Sequence, residues 1–265
     1  MTSDPNDLKW WGTFDVPLNT ACLWQIGPLT LGLLRRPQEW TLATHSDNNP
    51  FNDTLVRYQC GDALPAAAQD ILRFGFRTTF PRIHLVPGLP DKAILVRPQA
   101  PFTLVTGEEV TLHTSSPVWL RLLTDDPPQL LAEIPTSTPQ QAWLGPNTRE
   151  GELCYFNRTR ALLSSDPMPL NPARALTALT LRNLTADAMR FERIKVPLRN
   201  LALYANDHGQ LWTQDVTAVR EADGSVSLRL EAGPPAATPQ ATRVAPPQEP
   251  LIGNTFRRVF AGLFA

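Results

Sequence analysis

Lysine is nearly missing from this 265-residue chain. Three lysines (Lys9, Lys92 and Lys195) stand against 21 arginines, and the arginines are scattered, with no basic run longer than two residues. Neither Arg35-Arg36 nor Arg257-Arg258 is interleaved with aromatics. With 24 basic and 25 acidic side chains the formal net charge is -1. A chain without a basic stripe lacks the electrostatic footprint of nucleic-acid binding, and no nucleic-acid partner is expected.

Other scarcities narrow the classes further. The three cysteines (Cys22, Cys60 and Cys154) are odd in number and widely spaced. They read as reduced, buried thiols rather than as a disulfide framework. The most apolar run, Ala21 to Leu34, is interrupted by Gln25, Gly27, Pro28 and Gly32. No transmembrane segment is therefore expected. The first eleven residues are polar and acidic (Asp4, Asn6, Asp7) with no basic and apolar leader pattern, so the reading is cytoplasmic.

What the sequence has in excess is proline, 27 residues against 14 glycines. Proline breaks helix interiors and central strands, which limits the chain to short elements joined by turns and extended linkers. Alternation of apolar and polar residues supplies the short elements. Cys22 to Ile26 and Leu29 to Leu34 flank the turn dipeptide Gly27-Pro28, and Gln38 to His45 continues as a meander. Further runs cover Thr54 to Gln59, Leu72 to Thr79, Arg82 to Val86, Ala93 to Val96 and Phe102 to Val105. The clearest pair is Glu109 to Thr114 with Pro117 to Thr124. Strands recurring every eight to twelve residues, without helical periods between them, predict an all-β fold of antiparallel β-sandwich domains, immunoglobulin-like or barrel-like.

Composition suggests four segments. Residues 1–165 read as an N-terminal β-sandwich or barrel domain, ended by the proline-containing stretch Asp166 to Pro172. Residues 173–232 read as a smaller β-sandwich domain, with Asp223-Gly224 as a hairpin turn. Residues 233–250 hold six prolines and read as a semi-rigid linker. Residues 251–265 read as a C-terminal amphipathic helix, because Phe256, Val259, Phe260, Leu263 and Phe264 fall on one helical stripe. Such a short apolar helix is unstable alone in water and must dock, on its own chain, on a partner groove or on a membrane surface.

Signatures of catalysis are lacking. There is no Gly-rich phosphate loop, no nucleophile elbow, no paired histidines at helical spacing and no close cysteine pair. The four histidines (His45, His84, His113 and His208) are isolated, with His84 and His113 able to meet only across strands. No enzyme, metal or cofactor is expected. The densest polar cluster is the segment Gly145 to Tyr155. There Trp143, Asn147, Arg149, Glu150, Glu152 and Tyr155 form a candidate loop for a ligand or a partner, since a guanidinium and carboxylates on one loop can pair with a polar surface. The alternative reading of those residues is a charged hairpin whose side chains satisfy one another.

The run Trp24-Gln25-Ile26-Gly27-Pro28-Leu29-Thr30-Leu31, then Glu39-Trp40, Val96-Arg97-Pro98, Phe102 to Leu112, Ser116 to Arg121 and Thr148 to Tyr155 together resemble domain-of-unknown-function family 432. The resemblance covers most of the chain and brings no catalytic residue with it. It implies a bacterial or archaeal accessory protein, because members are often encoded beside small-conductance mechanosensitive channels. The resulting expectation is a non-catalytic cytoplasmic interaction protein, an accessory or regulatory partner of such an integral channel, peripheral at the inner membrane. Two rivals stand beside it: a small-ligand or carbohydrate-binding module using the Trp143 to Tyr155 loop, and an enzyme with an unfamiliar polar site at Arg149, Glu150 and Glu152.

Overall fold

The structure is a computed structural model that describes residues 8–47, 49–61, 63–66, 68–98, 100–145, 149–163, 169–223, 225–251 and 255–258. In chain order the strands are β1 (Gly12–Asp15), β2 (Ala21–Ile26), β3 (Leu29–Arg36), β4 (Glu39–Ser46), β5 (Leu55–Gly61), β6 (Asp70–Gly75), β7 (Arg82–Gly88) and β8 (Ile94–Pro98). They continue with β9 (Phe102–Leu104), β10 (Glu109–Pro117), β11 (Trp119–Thr124), β12 (Leu130–Pro135), β13 (Gln140–Leu144), β14 (Glu152–Leu163), β15 (Arg174–Asn183) and β16 (Met189–Phe191). The last are β17 (Ile194–Val196), β18 (Leu203–Ala205), β19 (Leu211–Thr213), β20 (Val216–Arg220), β21 (Val226–Leu230), β22 (Thr242–Ala245) and β23 (Thr255–Arg258). A single 3-10 turn, Leu198–Asn200, is the one helical element among the described residues. No helix there is long and apolar enough to cross a membrane.

The fold is all-β, as the alternation predicts. One sheet runs β5-β2-β3-β4-β6, and a second, four-stranded, runs β1-β7-β11-β12. The largest follows β17-β8-β14-β10-β15-β19-β18-β22, with β13 on β14, β20 between β15 and β21, and β23 on β21. Its pairings are mixed. β10 and β15 are antiparallel over nine positions from Glu109↔Arg182 to Pro117↔Arg174, whereas β8 lies parallel to β14 and both β19 and β20 lie parallel to β15.

Gly27 shows why the opening meander turns where it does. Its φ of 58° is left-handed, and an added Cβ would fall 2.6 Å from Ala173 Cβ and 2.8 Å from the Asn52 carbonyl. Only glycine satisfies both demands. The alternating inward side chains Trp24, Ile26, Leu29, Leu31 and Leu33 are fully buried in a core that also takes Leu120, Leu122, Leu179, Leu181, Phe191 and Leu203. One continuous core thus joins residues from both sides of the stretch 166–172, and β10 with β15 puts both sides in one sheet. The described part of that stretch is itself a tie. Trp10 Nε1 donates to the Pro172 carbonyl at 2.8 Å, Asn171 Nδ2 donates to the Asn52 carbonyl at 3.0 Å, and the Asn171 amide donates to Gln210 Oε1 at 3.1 Å.

Three expectations require correction. The 233–250 segment is not wholly a spacer: Thr242–Ala245 pairs with β18, and Ala241 and Ala245 are buried. The segment Thr255–Arg258 is a strand, not the start of a helix, because the open edge of β21 offers it a ladder from Val226↔Arg258 to Arg229↔Thr255. An amphipathic pattern of ten residues carries little helical stability of its own, and an available sheet edge outweighs it. Phe256 therefore belongs to β23, while Val259, Phe260, Leu263 and Phe264 lie outside the described residues. Finally, Cys22 and Cys60 are not free thiols. They stand directly opposite each other on β2 and β5 and are disulfide-bonded, leaving Cys154 as the buried free cysteine.

Candidate functional site

The predicted loop is the tip of the β13–β14 hairpin. Register places Trp143 opposite Leu153, Gln141 opposite Tyr155 and Leu144 opposite Glu152. Two glycines close the tip. A Cβ on Gly145 would sit 2.0 Å from the Glu150 carbonyl, and one on Gly151 would sit 2.6 Å from the Leu144 carbonyl and 2.8 Å from Trp143 Cε2. The indole therefore lies on the bare backbone of Gly151, which holds it in place. Trp143 is 48% exposed and Leu153 is 43% exposed. Arg149 and Glu150 are exposed beside them, and Asn147 lies outside the described residues.

The other predicted residues go elsewhere. Glu152 points to the opposite face of the hairpin from Leu153, where it accepts a hydrogen bond from the largely buried Lys195. Tyr155 is buried, its ring centroid 6.1 Å from that of Trp119, and its hydroxyl donates to Asp91 Oδ1 at 2.6 Å. Lys92 Nζ lies 5.0 Å from the Tyr155 ring centroid and donates to Asp91 at 2.6 Å. Burial pushes the Tyr155 phenol up. For Asp91 burial acts upward too, but the hydrogen bonds from Lys92 and Tyr155 outweigh it and hold the carboxyl below the usual range. Tyr155 thus anchors the hairpin base, and Trp143 with Leu153 is what the tip presents.

A second site was not foreseen. It lies on the outer face of the four-stranded sheet, where Ile83, Leu85, Leu120 and Leu122 point to the core and their sequence neighbours point away. Thr13 and Leu123 both stand opposite His84, on either side of it. Thr13 Oγ1 lies 2.9 Å from His84 Nδ1, His84 Nε2 lies 2.9 Å from Asp125 Oδ1, and Arg82 reaches Asp125 Oδ2 at 2.8 Å. A carboxylate only accepts, so Nε2 carries the imidazole proton; in the neutral ring Nδ1 is then the acceptor and the Thr13 hydroxyl donates to it. Above this row opens a cleft of about 450 Å³ walled by Trp11, Val86, Pro87, Leu123, Pro128 and Val244. His84 was legible as an isolated strand histidine. Its partners, 71 and 41 residues away in sequence, were not.

Against known families, residues 10–264 match the model described as a protein of unknown function, DUF432. The chain belongs to the DUF432 family. No curated protein and no solved structure matches it. The DUF432 match takes in both the hairpin tip and the cleft, together with all but two residues of the described N-terminal segment 8–47.

Proposed function

We propose that this DUF432 protein is a non-catalytic interaction protein that docks on a protein partner through the β13–β14 hairpin tip. The observation that carries this reading is the exposed Trp143–Leu153 pair, with the Trp143 indole seated on Gly151. Large aromatic side chains held rigidly at a surface are the usual anchors of protein interfaces, since they bury much area and lose little conformational freedom on binding. Arg149 and Glu150 beside the pair supply a polar rim of both signs. The partner class is an integral membrane channel of the small-conductance mechanosensitive type. Support for that class is the genomic neighbourhood implied by the family, and it sets the protein at the cytoplasmic face of the inner membrane.

The test is crosslinking mass spectrometry on membranes from cells that co-express the channel with the full chain. Crosslinks should include Arg149, Glu150 or their neighbours, and the double variant Trp143→Ala/Leu153→Ser should leave the membrane fraction while retaining its β-rich circular dichroism. Equal sedimentation of the double variant and the native chain would remove the hairpin from the interface.

A further inference from the structure

The cleft over Thr13, His84 and Asp125 is separate from the hairpin tip and has a chemistry of its own. Its walls are apolar, and its polar end is one connected row. The hydrogen-bonding capacity of that row determines what it can still receive. Both imidazole nitrogens of His84 are committed, one to Asp125 and one to Thr13. In the neutral ring the Thr13 proton is spent on Nδ1. What remains on Thr13, His84 and Asp125, the polar side chains that line the cleft, are lone pairs, those of Thr13 Oγ1 and the second acceptor positions of the Asp125 carboxylate. Thr13 is exposed, so its oxygen is accessible to a molecule lying in the cleft.

Charge gives the same direction. Arg82 is paired with Asp125 and also stands opposite Asp15 in the β1–β7 register. A carboxylate at the polar end, with no N–H or O–H left on Thr13, His84 or Asp125 to receive an anion, disfavours an anionic head. The volume falls in the range of small-molecule sites, roughly 300–1,000 Å³. We infer that the cleft binds a small amphiphile with a hydrocarbon body and a hydrogen-bond-donating head, a hydroxyl or an amine, whose head donates to Thr13 Oγ1 while its body covers Trp11, Val86, Leu123 and Val244.

Four six-carbon probes of equal reach test this by NMR titration of the full chain, with the His84 ring and Thr13 amide signals as readout. They are 1-hexanol, hexylammonium, hexanoate and methyl pentyl ether. Hexanol and hexylammonium should shift both signals saturably, and the ether and the carboxylate should bind about tenfold more weakly, the value of one hydrogen bond. Thr13→Val, an isosteric change at an exposed position, should reduce hexanol to the affinity of the ether and leave the ether unchanged. Val244→Trp should abolish binding of all four by filling the cleft. Equal affinities across the four heads, or an unchanged hexanol affinity in Thr13→Val, would overturn the recognition of a donor head. Absence of any saturable shift, or binding that survives Val244→Trp, would overturn the site.

Discussion

Trp143 faces Leu153 directly across the β13–β14 hairpin, and both residues are about half-exposed. A cross-strand aromatic–aliphatic pair supports a sheet modestly, by roughly 0.2–1 kcal/mol. The expected consequence is a separation of roles. Trp143→Ala should change unfolding free energy by no more than about 1 kcal/mol. Gly151→Ala should cost more, about 2 kcal/mol or above, because its Cβ would meet both the Leu144 carbonyl and the indole within 3 Å. Urea denaturation of the two variants checks the order; a larger loss in Trp143→Ala would mean that the indole is part of the fold.

The Cys22–Cys60 bond closes a sequence separation of 38 residues and ties the edge strand β5 to β2. In the chain-entropy treatment such a loop contributes about 4 kcal/mol. Thiol counting in denaturant without reductant should find one reactive cysteine, Cys154, rather than three. Reduction should lower the melting temperature, and Cys154→Ser should leave that reductant effect in place. Since disulfides persist mainly in oxidising compartments, the count taken on protein isolated under thiol-blocking conditions also bears on the proposed cytoplasmic location.

Glu39 accepts a bidentate hydrogen bond from Arg73 and another from Thr41 at 2.8 Å, and these hold its carboxyl down at about 2. The unfolded chain takes up this proton near 4.5, so between those values the unfolded state holds more protons than the folded one. The stabilisation is complete above about pH 4.5 and is lost as pH falls through about 2. A carboxyl carbon titration should place the Glu39 midpoint near 2. In Arg73→Gln that midpoint should rise toward the ordinary carboxylate range, and Glu39→Gln should show a flatter acid limb in stability against pH.

Arg174 is buried, and its hydrogen bonds go to Ser115 Oγ at 2.8 Å, the Ser115 carbonyl at 2.6 Å and the Pro50 carbonyl at 3.4 Å. Its guanidinium also lies 5.1 Å from the Phe51 ring centroid. Burial lowers its pKa to about 10. The side chain fixes the 50–52 loop to β10 and β15. Arg174→Ala should destabilise the fold by about 2–4 kcal/mol through a cavity and two unsatisfied carbonyls. Arg174→Lys should recover part of this and not all of it, since an ammonium cannot reproduce the fork. Chemical denaturation of both variants gives the comparison.

The strands were readable where the alternation was strong and the partner was close in sequence. Cys22 to Ile26, Leu29 to Leu34 and Gln38 to His45 lie in β2, β3 and β4 almost as their patterns indicate, whereas Glu109 to Thr114 and Pro117 to Thr124, read as a pair, fall in β10 and β11 of two different sheets, β10 pairing with β14 and β15 and β11 with β7 and β12. Thr242–Ala245 and Thr255–Arg258 were hidden because four-residue strands among prolines carry too little pattern, and they exist through the edges of β18 and β21. The same holds for the sites. Trp143 and its neighbours were legible as a dense local cluster, although the period of two sends Glu152 to the other face, and Tyr155, on the same face as Leu153, is covered further along the hairpin by Trp119 and Lys92. The Thr13–His84–Asp125 row was not legible, because only the β1-β7-β11 order brings three distant residues into line.

If the hairpin tip is the anchor of the interface, its loss must show in affinity. The dissociation constant of the full chain for a purified small-conductance mechanosensitive channel in lipid nanodiscs should rise by about thirtyfold in Trp143→Ala, the loss of a single interface anchor worth about 2 kcal/mol. The melting temperature of the variant should stay close to that of the native chain. Saturable binding that Trp143→Ala leaves unchanged, or no binding by the native chain, would mean that the hairpin tip is not the anchor.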